Sequence, residues 1–386
     1  MKSTETSQIL IVAAEASSVL YAQRLLEEWK TQNIDVHAFG IGSREMEKIG
    51  FEIVGRSEEL AVVGFKEVLA HYPKIKSVFN RLVEMAGERN PKLVLLLDYP
   101  DFNFRLAKKM KRLGLPVVYY ISPQLWAWRT GRIKLVKKFI DRMLVVFPFE
   151  VDFYKKHNVD VTFVGHPLLE EITEDLRDDE MRKKRRGRFG LHDNDMVLGL
   201  MPGSRNSELK NNLATQIEVA RVLQKKHPDL HLMLLIAPGL EREKIRELLP
   251  ADSPHLMLIQ MAPFEMLQIC DLILCASGTA TLMTGLMHVP MVIMYKMNAV
   301  SAWLAKTLVK STKFFGMVNL ILGREVVPEK FQEQASVEVL SAELEKYIEN
   351  RELRSRVVND LKELDISLGN KGAAKRVTDA IREYLM

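Results

Sequence analysis

The chain of 386 residues is 47% apolar and 27% charged, the mix of an ordinary globular protein, which excludes a collagen, a disordered chain and a disulfide scaffold. At a usual domain size of roughly 100–200 residues this length predicts two domains, each able to bury its own core without a metal or a disulfide. The 55 basic and 50 acidic side chains leave a net charge of only +5, too small an excess to argue for nucleic acid, yet compatible with anionic substrates or an anionic membrane surface.

Met1 to Ser7 is polar, and the apolar run Ile9–Ala14 is too short for a signal peptide and lacks a cleavage pattern. Strand-like runs follow at Ile9–Ala13, Val36–Gly40, Leu93–Asp98, Val117–Ile121, Met143–Val146 and Val161–Val164. Helical patterns lie between them at Tyr21–Trp29, Val63–Arg89, Phe104–Leu113 and Ile133–Phe139. A charged, core-poor interruption comes next. Acidic residues from Glu170 to Glu180 run into the basic stretch Arg182–Arg188, which reads as a linker with a solvated face. The pattern resumes with strands at Met196–Leu200, Leu232–Ala237, Leu256–Gln260, Leu272–Cys275 and Met291–Tyr295, and with helices at Ser207–Lys226 and Thr279–His288.

Leu272–Tyr295 carries no Asp, Glu, Lys or Arg and is long enough to span a bilayer. Gly, Pro, Ser and Thr punctuate it, so it reads as buried strand, turn, helix and strand. Cys270 and Cys275 fall at its start and read as buried thiols of a reducing compartment. From Ser336 onward the chain is helical and charged.

Continuous apolar strands alternating with helices imply parallel sheets covered on both faces. One (β/α)₈ barrel needs about 250 residues, and the break between Glu170 and Asp195 divides the pattern. The expected architecture is α/β, two doubly wound domains with a cleft between them. The expected boundaries are 1–169 for the first domain, 170–195 for a charged linker, 196–335 for the second domain and 336–386 for a helical extension.

Several turns carry chemistry. Met201-Pro202-Gly203-Ser204-Arg205 follows a strand and precedes a helix. Small residues and helix N-terminal amides suit an anion there, and Arg205 adds a forked donor for phosphate; a plain βα turn capped by Ser207 has the same pattern. Ala276-Ser277-Gly278-Thr279 is a second cradle of this kind, equally readable as a capped helix, and two cradles on one cleft fit a diphosphate. Asp98, closing the strand Leu93–Asp98, stands where ligands gather in open α/β sheets and suits a general base; the N-cap role fits Asp101 better. In Ser122-Pro123-Gln124-Leu125-Trp126-Ala127-Trp128-Arg129, two Trp and a cation suit a sugar or an acyl chain, with core packing as the alternative. The apolar helix with basic edges around Ala61–Tyr72 suits a membrane surface, or a buried amphipathic position.

Other signals are discounted. Gly40-Ile41-Gly42-Ser43-Arg44-Glu45 has Glu where a dinucleotide fingerprint needs its third Gly, and no Walker loop is present. Asp193-Asn194-Asp195 reads as a polar turn, and the nine His residues show no zinc spacing. Neither a metal nor a cofactor is expected.

Taken in order, these segments resemble the lipid-A-disaccharide synthase family. The resemblance covers nearly the whole chain and rests on Ser57–Phe65, Asp98–Asn103, Tyr120–Arg129, Phe147–Glu150, Gly165–Leu168, Pro202–Arg205, Ala276–Ala280 and Asn319–Glu325. Its most specific element is Ser122-Pro-x-x-Trp126-Ala-Trp128-Arg129. It implies a GT-B arrangement of two Rossmann-like domains and inverting transfer of 2,3-diacylglucosamine from UDP to 2,3-diacylglucosamine 1-phosphate, forming the lipid A disaccharide. It further implies Asp98 as the base, Arg205 with Ser204, Ser277, Gly278 and Thr279 around the departing UDP, and Glu15, Ser17, Ser122, Trp126, Trp128, Arg129, Asn319 and Arg324 as substrate-binding positions. Peripheral attachment to the cytoplasmic face of the inner membrane, a homodimer through the C-terminal region, and no metal requirement belong to the same expectation.

Two segments depart from the family. Its Gly-Glu-x-Ser-Gly-Asp loop is Ala14-Glu15-Ala16-Ser17-Ser18-Val19 here, and Met283 stands where a glutamate suited to a ribose hydroxyl is usual. These departures motivate an alternative, a catalytically weak relative that binds UDP-sugar or lipid-sugar and regulates a partner. A nucleotide-sugar epimerase of the same architecture is a third reading.

Overall fold

In each half of the chain, runs such as Leu93–Leu97 are apolar at every position, so a strand made of them must be covered on both faces. The computed structural model, which describes residues 7–60, 65–128, 130–297 and 313–385, does this with two wholly parallel sheets. The first contains β1 (Ser7–Ala13), β2 (Val36–Gly42), β3 (Glu52–Arg56), β4 (Leu93–Leu97), β5 (Val117–Tyr120), β6 (Arg142–Val145) and β7 (Val161–Phe163), in the order 3-2-1-4-5-6-7. The second contains β8 (Val197–Met201), β9 (His231–Leu235), β10 (Leu256–Ile259), β11 (Leu272–Ala276), β12 (Met291–Tyr295) and β13 (Glu329–Phe331), in the order 10-9-8-11-12-13. Both are doubly wound α/β sheets.

Strand periodicity divides the first core in two. Leu10 and Val12 of β1, with Val94 and Leu96 of β4, enter a cluster with Leu82, Met85 and Ala86 of the helix Phe65–Arg89 and with Leu106 and Met110 of the helix Pro100–Arg112. Ile9, Ile11 and Ala13, with Leu93, Leu95 and Leu97, point the other way and meet Leu25 and Trp29 of the helix Ala16–Thr31. That second cluster also takes in Val377, Ile381 and Leu385.

The chain forms two compact units, Leu168–Gly369 and a discontinuous unit of Met1–Pro167 with Asn370–Met386. The helical extension from Ser336 is thus divided between them. Arg376 donates to the Val164 carbonyl at 2.8 Å, and Arg142 to that of Ala380, tying the last segment to the first unit. Among the described residues no helix is long and apolar enough to cross a membrane. Leu272–Tyr295 is a strand, a turn, the helix Thr279–Leu286 and a strand, as its punctuation implied. Cys270 and Cys275 are buried free thiols, and burial pushes Cys275 up to about 12.

The charged segment 170–195 differs from the linker expected of it. It contains the helix Asp179–Gly187, capped by the Asp178 carboxylate accepting from the Met181 N–H at 2.8 Å. The basic run is not a solvated face: Arg186 is fully buried and Arg185 nearly so. Arg182 and Arg186 reach Asp271 at 2.6 and 3.2 Å, and Arg185 pairs with Asp175 and Glu265. Asp271 also accepts from the Val197 N–H at 2.9 Å, so this ion network pins the first residue of β8. Removing a fully buried partner of such a network costs about 3–5 kcal/mol; for Arg186 the loss is its cavity and its bonds to the Ile269 and Asp195 carbonyls, since Asp271 keeps Arg182. Arg186→Ala is expected to lower the free energy of unfolding by about that amount in urea titrations, with Arg188→Ala, outside these pairs, as the contrasting variant.

Candidate active site

In an open α/β sheet the loops diverge where strand order reverses, and the gap lies at the carboxyl ends of the two strands that flank it. In the first unit these are β1 and β4, with Ala13 paired to Leu97. Glu15 and Ser17 follow β1, and Asp98 follows β4, so the topology brings these three residues to one edge. Asp98 and Tyr99 take left-handed φ values of 45° and 48°, a conformation uncommon outside glycine and stored at sites where the surroundings enforce it. Here Tyr119 and Asn103, both buried, donate to the Asp98 carbonyl, and Asn103 also holds the Leu97 carbonyl at 3.2 Å. With the backbone so held, the half-buried Asp98 is fixed at the strand end. Tyr99 donates to the Leu60 carbonyl at 3.2 Å, and burial together with the nearby Glu15 and Asp101 carboxylates pushes its hydroxyl pKa up. Asp101 is not the N-cap: the helix begins at Pro100, and Asp101 lies in its first turn, paired with Arg132 at 2.5 Å.

The second unit repeats the geometry. β8 and β11 flank the reversal, with Met201 paired to Cys275. After β8 come Pro202–Arg205 and the helix Asn206–Lys226, so Ser207 lies within the first turn instead of capping it. Glu208 occupies the expected amide cradle: its carboxylate accepts from the Ser204 N–H at 2.8 Å and stands 3.5 Å from Arg205. Gly203, at φ 128°, admits Glu208, because a Cβ there would lie 2.4 Å from the Glu208 Cβ. Ser204 and Arg205 are exposed. After β11, Gly278 and Thr279 are exposed and Ser277 is half-buried, while Thr281 donates to the Gly278 carbonyl at 2.8 Å. Ser277 and Tyr295 also line a pocket of about 190 Å³ bounded by Phe315, Glu329 and Phe331.

A third cluster lies past β5 and β6. Ser122 is buried, donating to the Pro123 carbonyl at 2.9 Å and sharing a 2.6 Å bond with the Tyr154 hydroxyl. Trp126 packs edge-on against Phe149, with ring centres 5.0 Å apart, and its indole N–H donates to Glu150 at 3.3 Å. Phe149 stacks on Phe147, whose ring meets His166 at 5.1 Å. Burial pushes Glu150 up to about 7 and His166 down to about 3. Sequence reasoning gave Glu150 and Glu208 no role, although both fall inside or beside motifs it singled out. The available signal was each glutamate's place in a helix's first turn, where it can reach back to backbone amides.

The remaining positions divide differently. Trp128 ends the short helix Leu125–Trp128, and Arg129 lies outside the described residues, as does 61–64 of the basic-edged helix. Asn319 is fully buried. Its amide donates to the Val327 carbonyl and to Glu329, and accepts from the Val326 and Val327 N–H groups, so the side chain braces this loop. Arg324 is engaged by Glu363 at 2.7 Å and Asp360 at 3.3 Å. Among the described residues, His227, Glu345 and Glu349 could together hold a metal ion. His227 precedes β9, at the amino end of that strand, while Glu345 and Glu349 lie on the helix Val337–Glu349, and Lys226 already bonds both Glu345 oxygens at 2.8 Å.

Comparison with known proteins fits this arrangement. A profile of the family described as lipid-A-disaccharide synthetase matches residues 9–382. The lipid-A-disaccharide synthase of Geobacter sulfurreducens is 38% identical over 385 residues, covering 100% of this chain and 99% of that protein. The chain belongs to the lipid-A-disaccharide synthase family. Among solved structures, the UDP-GlcNAc 2-epimerase of Neisseria meningitidis, bound to UDP-GlcNAc, superposes with a TM-score of 0.68 at 13% identity, covering 97% of this chain and 100% of that one. The calicheamicin glycosyltransferase CalG4 superposes at 0.61 with 15% identity, covering 99% of both. These establish the GT-B fold of two Rossmann-like domains.

As a lipid-A-disaccharide synthase family member, the chain is a glycosyltransferase that forms the lipid A disaccharide; the regulatory alternative is not favoured. Its two departures from the family take definite places. Ser18, where the family has glycine, is fully buried; it accepts from the Glu15 N–H at 3.0 Å and donates to the Glu15 carbonyl at 2.8 Å, closing the first turn after β1. Met283 lies half-buried on the helix Thr279–Leu286. His166 gives a test of the buried cluster. Because its folded pKa is depressed, the unfolded chain binds a proton below about pH 6.5 that the native chain refuses, so this group costs stability as pH falls. His166→Gln is expected to flatten the acid limb of the unfolding free energy by about 2 kcal/mol between pH ~6.5 and ~4.5, measured by urea titration at each pH.

Proposed function

We propose that the reaction is inverting transfer of 2,3-diacylglucosamine from UDP to 2,3-diacylglucosamine 1-phosphate, with Asp98 as general base and Arg205 as the cation on the leaving group. Asp98 takes the proton of the acceptor's 6-hydroxyl as that oxygen bonds to C1 of the donor sugar. The bond from C1 to the diphosphate oxygen breaks on the opposite face, and UDP leaves with the electron pair. Inversion gives the β-1,6 linkage. Arg205, Ser204 and the turn Ser277–Thr279 meet the charge that grows on the diphosphate, where fixed donors act most strongly. Glu15 and Ser17 bind sugar hydroxyls beside Asp98, and the Trp126–Arg129 segment contacts the acylated substrate.

The observation that carries this reading is topological. The family's acid and its cation each follow one of the two strands that flank a reversal of strand order, Asp98 after β4 and Arg205 after β8. Because donor and acceptor are both acylated, the same reading has the protein working as a peripheral protein at the cytoplasmic face of the inner membrane.

The test supplies purified protein with radiolabelled donor and lipid acceptor. Asp98→Asn is expected to lower turnover by about 10²–10⁴-fold, and Arg205→Ala by about 10²–10³-fold, with unchanged circular dichroism. Turnover near that of the unaltered protein in either variant removes that residue's role, and no disaccharide from the unaltered protein overturns the reading.

A further inference from the structure

The Glu150 carboxyl is 1% exposed, and each of its oxygens receives an N–H: Oε2 from the Phe147 backbone at 3.2 Å and Oε1 from the Trp126 indole at 3.3 Å. An ionised carboxylate accepts at both oxygens. A neutral acid carries its own O–H on one of them and accepts more weakly there, so one of the two bonds loses strength. The Phe147 N–H is fixed by the backbone at the start of the helix Pro148–Lys156. The indole hangs from a side chain with two rotatable bonds, and it is the donor that yields.

We propose that Glu150 is a positioning residue whose ionised carboxylate holds Trp126 in the wall of the acceptor site, and that protonation of Glu150 releases the indole and weakens acceptor binding. The proposal rests on the reading of Trp126 as a substrate contact. It adds a control of that site by pH that the motif does not display.

The groups facing Glu150 leave the titration to it. On its own helix stands Tyr154, and on β5 Tyr119; burial pushes both phenols up, so they stay protonated near neutrality. Ser122, in the turn after β5, does not titrate. Beyond Phe147 lies His166, which burial holds down at about 3 and therefore neutral. Among the described residues no Lys or Arg hydrogen-bonds to Glu150. Burial alone pushes this carboxyl up, against the opposing pull of Phe147, Trp126, Ser122 and the Val146 backbone.

Two readouts test the idea, one of them independent of activity. In ¹⁵N-labelled full-length protein the Trp126 indole resonance is identified as the one lost in Trp126→Phe. It is expected to shift with a midpoint near pH 7, and Glu150→Gln is expected to abolish that shift. An indole signal that stays flat from about pH 6 to 8 in the unaltered protein overturns the proposal, even if Glu150→Gln does not fold. So does an unchanged titration in a folded Glu150→Gln. In the disaccharide assay the acceptor KM is expected to rise about tenfold from pH 8 to 6, following the ionised fraction of a group titrating near 7, with kcat changed far less. Trp126→Phe is expected to show a raised KM that no longer varies with pH. A KM that varies as before in Trp126→Phe overturns the proposal while leaving the glycosyltransferase reading intact, whereas absence of disaccharide in the unaltered protein strikes only that reading.

Discussion

A parallel strand can join its neighbour only after the chain has crossed back over the sheet, and the right-handed crossover decides which face the connecting helix covers. Every strand in both sheets obeys this constraint. Among the described residues it collects all thirteen strands' carboxyl ends along one edge of their own sheets, and where the winding direction changes it leaves neighbouring loops with nothing between them. Apolar strand interiors enforce the winding, and the polar chemistry is displaced to the loops. That Asp98 and Arg205 hold corresponding stations in separate units is thus a consequence of the core, although neither side chain belongs to it.

The candidate residues fall into two physical kinds. Ser17, Ser204, Arg205, Gly278 and Thr279 are exposed at strand ends. Ser122, Asn319 and Arg324 direct their polar atoms to other parts of the protein and brace the segments around themselves. Glu208 stands between the kinds, since its carboxylate sits on the Ser204 amide and beside Arg205. A motif records both kinds alike, because a residue that builds a turn and a residue that uses it recur together.

Most of the architecture was legible from the sequence because the inner strands are unbroken apolar runs, as at β4 and β11. The strands it hid are edge strands: β3 (Glu52–Arg56) and β13 (Glu329–Phe331) are half-buried and carry charge, so no apolar run announces them. The basic stretch Arg182–Arg188 was misread for another reason. Whether an arginine is solvated depends on partners such as Glu265 and Asp271, some eighty or more residues away, and composition holds no record of them. The helix start at Pro100 shows the same limit at short range: Asp101 had the chemistry of a cap, but the left-handed backbone of Asp98 and Tyr99 moved the boundary. At the site, the turns were readable from their small residues and the strand-to-helix context. The buried pairing of Trp126 with Glu150 was not, because it joins loops after different strands.

The return of Asn370–Met386 to the first unit has a consequence for biosynthesis. Val377, Ile381 and Leu385 fill the core face that Ile9, Leu25 and Trp29 begin, yet the ribosome makes them after every residue of Leu168–Gly369. The second unit has its whole sequence while the first still lacks the segment that covers this apolar face. The part begun earliest is therefore sealed last.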